Sequence, residues 1–85
     1  MVPNYYLYIL RCRDGTLYIG VTNDMAQRLR RHRQGTGSAY TRAHPPKKIV
    51  YHETFDSYRT ACRREAQLKK WRRDKKERLI LGLKP

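Results

Sequence analysis

With 85 residues the chain has room for one small packed domain, taken as residues 1–85, and no surplus core to divide between two. Its 39% hydrophobic content, with seven Tyr, one Trp and one Phe, excludes a disordered basic tail, and no apolar run is long enough to cross a bilayer. Twenty Lys and Arg against seven Asp and Glu leave a formal charge of +13, a surface that attracts nucleic acid through counterion release. The first residues lack the apolar stretch of a signal peptide, so a cytoplasmic protein is expected. Cys12 and Cys62 stand far apart without metal-ligand spacing, which argues against zinc, and a reducing cytoplasm disfavours a disulfide between them.

Tyr5–Cys12 and Leu17–Thr22 are rich in Tyr, Leu and Ile and read as strands, joined by the hairpin signal Arg13-Asp14-Gly15-Thr16. Loop length decides which side chains share a face. A two-residue Asp14-Gly15 loop puts Tyr8 and Tyr18 on opposite faces. A three-residue Arg13-Asp14-Gly15 loop pairs Tyr8 with Gly20 and puts both tyrosines on one face, with Leu7, Ile9, Leu17, Ile19 and Val21 on the other. The second register segregates the aliphatic residues and is preferred. Asn23 or Asp24 caps a helix to about Gln34, ended by Gly35, with Arg28 and His32 beside a Met25/Leu29 stripe. Gly35–Lys48 reads as a long loop, more often functional than idle at this length, and Ile49–Thr54 as a third strand. Ser57 caps a long helix to roughly Arg73, on which Glu65 shares the face of Ala61 and Leu68 and so needs a partner. Asp74-Lys75-Lys76-Glu77 has the form of a capping box opening a short last helix to Gly82. The fold class is α+β in the order ββαβαα, a three-stranded antiparallel sheet flanked by helices.

Tyr8, Tyr18 and Arg28 fall at ten-residue intervals, with His32 one turn beyond Arg28 and Glu65 on the penultimate helix. Tyr6-Leu7-Tyr8, Tyr18-Ile19-Gly20, Arg28 and His32 resemble the GIY-YIG nuclease superfamily. More narrowly, Leu17–Asp24, Ala39-Tyr40-Thr41-Arg42 and Arg63–Lys69 make nearly all of Tyr5–Leu81 similar to its small single-domain, UPF0213-like branch. Two departures stand out. The first triplet is Tyr-Leu-Tyr rather than Gly-Ile-Tyr, and Asp74–Leu81 lacks the asparagine that relatives such as the incision subunit of nucleotide excision repair carry near the last helix.

The resemblance implies a GIY-YIG endonuclease fold and metal-assisted phosphodiester hydrolysis of DNA, with branched, nicked or single-stranded forms as expected targets. Such chemistry needs an activated water, charge stabilisation at the phosphoryl oxygens and help for the leaving oxygen. By resemblance, Tyr8 positions or deprotonates the water, which requires a nearby cation to bring its pKa down from about 10. Tyr18 assists it, Arg28 offers its donor fork to the phosphate, and His32 shuttles a proton or donates to phosphate. Glu65 holds a single Mg²⁺ or Mn²⁺. Tyr40, Thr41 and Arg42 in the loop, with Lys69 and Arg72 in the basic band that follows, are expected to contact nucleic acid. Each residue also has a plainer reading, as a strand tyrosine, a basic helix face or an ion-pair member. A binding module without catalysis, on RNA or the ribosome, is the second functional reading. Specificity is then expected from the loop, the basic band or a protein partner.

Overall fold

In the computed structural model, which describes residues 4–85, β1 (Tyr5–Cys12) and β2 (Leu17–Thr22) form the expected hairpin. Its loop takes three residues. The Cys12 N–H donates to the Thr16 carbonyl at 2.9 Å and the Gly15 N–H to the Cys12 carbonyl at 2.9 Å, with Gly15 at φ +86°, where a side chain would be strained. Tyr8 therefore pairs with Gly20 and Leu10 with Tyr18. β3 (Pro46–Phe55) adds antiparallel on the other side of β1, giving the order β2-β1-β3.

Strand alternation then builds two different faces. Leu7, Ile9 and Ile19 point to the aliphatic face, where Leu68 of α3 (Tyr58–Lys69) and Leu79 and Ile80 of α4 (Arg73–Ile80) complete the core. Tyr8 and Tyr18 point to the opposite face, which α1 (Met25–Arg33) and α2 (Ala39–Ala43) approach. Asp24, rather than Asn23, caps α1, its carboxylate accepting from the Gln27 N–H at 3.0 Å.

Three boundaries depart from expectation. The stretch read as one long loop contains α2, capped by Ser38, and β3 begins at Pro46 rather than Ile49, so little unstructured chain remains. Five residues are too few to show helical periodicity. The helix expected to reach Arg73 stops at Lys69, where the Lys70 and Trp71 N–H groups close the turn on Gln67 and Leu68. The expected capping box is not formed. Arg72 occupies the cap position with no side-chain bond, and Glu77 goes instead to Arg11 at 2.6 Å and Arg73 at 3.1 Å. Charge-assisted bonds to two arginines outweigh one to a backbone N–H.

Candidate active site

The tyrosine face converges on one hydroxyl. Tyr8 is buried in the centre of the sheet, and its Oη lies 2.7 Å from His32 Nε2 and 3.2 Å from Arg28 Nε, which donates to it. His32 is 1% exposed, deeper than the helix-boundary position the spacing suggested. Its Nδ1 lies 2.7 Å from the Thr41 hydroxyl, which in turn sits 2.9 Å from Ser38 Oγ. One arrangement satisfies every donor: Arg28 donates to Tyr8, Tyr8 donates to Nε2, and the Nδ1 proton goes to Thr41. The Tyr18 ring packs edge-on against His32, 5.1 Å between centroids, and is tilted against Tyr8 at 6.3 Å. α1 thus delivers Arg28 and His32, one turn apart, onto the tyrosine pair from the hairpin.

Burial sets the electrostatics. Desolvation pushes the Tyr8 phenol up to about 12, and the hydrogen bond and charge of Arg28 oppose this without overcoming it. The required cation is therefore in place, yet Tyr8 stays protonated at neutral pH. Burial, and secondarily the Arg28 charge, holds His32 down at about 4, so its imidazole is neutral. Glu65 comes from α3, on the other side of the sheet, near enough for its charge to contribute to the rise at Tyr8. Its Oε2 pairs with Lys69 Nζ at 3.3 Å, and its side chain is 24% exposed. Arg64, its neighbour on α3, is bound by Glu53 at 2.9 Å. Among the described residues no three His, Cys, Asp or Glu side chains gather, so the Glu65 carboxylate stands outside any cluster of metal-ligating side chains of that size. Hard oxygen donors of this kind suit Mg²⁺ or Mn²⁺, which retain waters and share ligands with a bound phosphate.

Residues 4–78 match the model of the GIY-YIG catalytic domain. The chain belongs to the GIY-YIG family. A UPF0213 protein of Bacillus pumilus is 47% identical over 77 residues, covering 91% of this chain and 79% of that one. A UPF0213 protein of Staphylococcus saprophyticus is 41% identical, covering 93% and 96%. Among solved structures, a UPF0213 protein of Bacillus halodurans, determined by NMR, is 42% identical with a TM-score of 0.58, covering 91% of this chain and 82% of that one. A protein from E. faecalis is 35% identical with a TM-score of 0.64, covering 93% and 84%.

Within this GIY-YIG domain the remaining expected residues are distributed unevenly. Thr41, expected to contact nucleic acid, is 1% exposed and turned inward to His32, so its hydroxyl supports the site. Tyr40 is 37% exposed and already stacked, against His44 at 4.4 Å and Tyr18 at 5.6 Å, which ties α2 to the hairpin. Arg42 is exposed. Lys69 is partly occupied by Glu65, and Arg72 is almost fully solvated with Asp74 at 3.7 Å.

Two glycines and a serine were not legible as site residues. A Cβ on Gly20 would lie 2.5 Å from Tyr8 Oη, and one on Gly37 would lie 2.6 Å from His32 Nδ1. Both leave room for the catalytic candidates to cross their backbones. The pairing of Tyr8 with Gly20 was the signal for the first. Ser38, which caps α2 and holds Thr41, had none without the helix itself.

Proposed function

We propose that this domain is a divalent-metal-dependent endonuclease that hydrolyses phosphodiester bonds in DNA, acting in the cytoplasm as a single catalytic unit. The observation that carries the reading is the buried Tyr8 hydroxyl, held between the Arg28 guanidinium and the neutral His32 ring. A strand tyrosine in a purely structural role does not require an arginine, a buried histidine and a tailored glycine around one oxygen. Tyr8 Oη accepts from Arg28 and donates to His32, which leaves a lone pair to orient the attacking water. As that water gives a proton to Tyr8, the phenol proton passes to His32 Nε2. A phosphate bound by the outer nitrogens of Arg28 favours this step, because it offsets the positive charge that helps to hold His32 neutral. Thr41 fixes the ring from its other nitrogen. Glu65, freed from half-exposed Lys69, would hold a single Mg²⁺ or Mn²⁺ together with water and substrate oxygens, and the ion would supply charge stabilisation at the phosphate.

The test is conversion of supercoiled plasmid to nicked circles by purified protein. Nicking is expected with Mg²⁺ or Mn²⁺ and should cease on adding EDTA. Salt-sensitive binding without nicking in either metal, on DNA or RNA, overturns the enzymatic reading in favour of a binding module.

A further inference from the structure

Beside Arg28 the surface opens into a cleft of about 440 Å³ that shares only this arginine with the site described above. Pockets that accept small molecules begin at about 300 Å³. Tyr5 of β1 and Tyr58 of α3 form one wall, their rings 5.6 Å apart and tilted by 60°. Tyr58 is 60% exposed, so it is open to a ligand at the mouth of the cleft. The loop after β2 contributes Asn23 to the rest of the lining, and α1 contributes Gln27 from its first turn and Arg31 from its last. No side chain among the described residues bonds to the amides of Asn23 and Gln27 or to the Arg31 guanidinium, and no carboxylate lines the cleft. An aromatic wall, two uncommitted amides and a free cation match an aromatic ring with a hydrogen-bonding edge joined to a phosphate.

We propose that this cleft receives the base of an unpaired nucleotide adjacent to the scissile phosphate. The inference rests on the nuclease reading for that adjacency, since Arg28 belongs to both the cleft and the Tyr8 site. Tyr58 and Tyr5 stack on the base, Asn23 and Gln27 meet its edge, and Arg31 contacts the neighbouring phosphate. A base within a duplex has its faces covered by its neighbours and its pairing edge engaged, so the cleft selects single-stranded, flapped or extruded nucleotides.

The experiment measures binding in EDTA, where cleavage plays no part, of a labelled oligothymidylate, its RNA counterpart and a blunt DNA duplex. Tyr58→Ala, at an exposed position, and the double variant Asn23→Ala/Gln27→Ala should each weaken single-strand binding about ten-fold, the scale of one lost stacking or edge contact. Duplex binding, carried by the basic surface, should not change. A deoxyribose-selective or an equal effect on the two single strands both support the cleft and report whether it reads the sugar. Equal losses on single strand and duplex, or no loss on either, overturn it. If the cleft variants behave as expected while the wild type cuts nothing, the nucleotide site stands and the nuclease reading falls. If the wild type cuts but the variants bind normally, the reverse holds.

Discussion

At the scale of single residues, a methyl group at position 20 probes the geometry directly. Gly20→Ala keeps an allowed backbone but sets its Cβ 2.5 Å from Tyr8 Oη, so Tyr8 must move off Arg28 and His32. Overpacking of this kind costs about 1–3 kcal/mol, and nicking should fall far more than stability does. Retention of wild-type nicking by a folded Gly20→Ala protein would show that Tyr8 is not held as described. His32 gives a second residue-level prediction. Its folded pKa of about 4 lies below its ordinary 6.5, so between these values the unfolded chain binds a proton that the folded chain refuses. Stability should therefore fall as pH drops from about 6.5 toward 4, with His32 accounting for about 3 kcal/mol at the acid end. Urea unfolding near neutrality and in that acid window should show His32→Gln losing most of this pH dependence; an unchanged dependence contradicts a buried neutral imidazole. The sequence made Tyr8, Tyr18 and Arg28 legible because strand alternation and turn length determine which face a side chain takes. It left the depth of His32 open, since helical spacing gives direction around an axis and says nothing of what covers it.

At the scale of elements, the hairpin organises the site and α3 anchors the sheet beneath it. Leu68 is fully buried in the cluster with Leu7, Ile9 and Ile19, so Leu68→Ala should cost about 2–5 kcal/mol, read as a lower urea midpoint. Leu81, 72% exposed beyond α4, should tolerate the same change within about 0.5 kcal/mol. Equal effects at the two positions would contradict the assignment of the core to the aliphatic face. The hairpin, α1 and the core strands could be read in advance because their patterns are local and strongly periodic. α2 and the capping of α4 could not, because long-range partners decide them. Thr41 is drawn to His32 across nine positions, and Glu77 to Arg11 across 66.

At the scale of the whole molecule, the charge of +13 and the GIY-YIG catalytic domain point to the same class of partner. Non-specific affinity for duplex DNA should fall linearly on a log–log plot against salt, since it rests on released counterions. A flat salt response would remove the basic surface from the account. The charge was plain in the composition, whereas the cleft beside Arg28 was not, because it forms only when Tyr58 of α3 meets Tyr5 and α1. The central claim is that the Tyr8 hydroxyl takes part in metal-dependent cleavage, and single-turnover cleavage by Tyr8→Phe, with DNA binding measured in parallel, tests it most directly. The phenylalanine keeps the ring and the packing and removes one oxygen. The account predicts unchanged binding and a rate lowered by about 10²–10⁴, the range for losing a positioned proton-transfer group. Cleavage by Tyr8→Phe at the wild-type rate would contradict it.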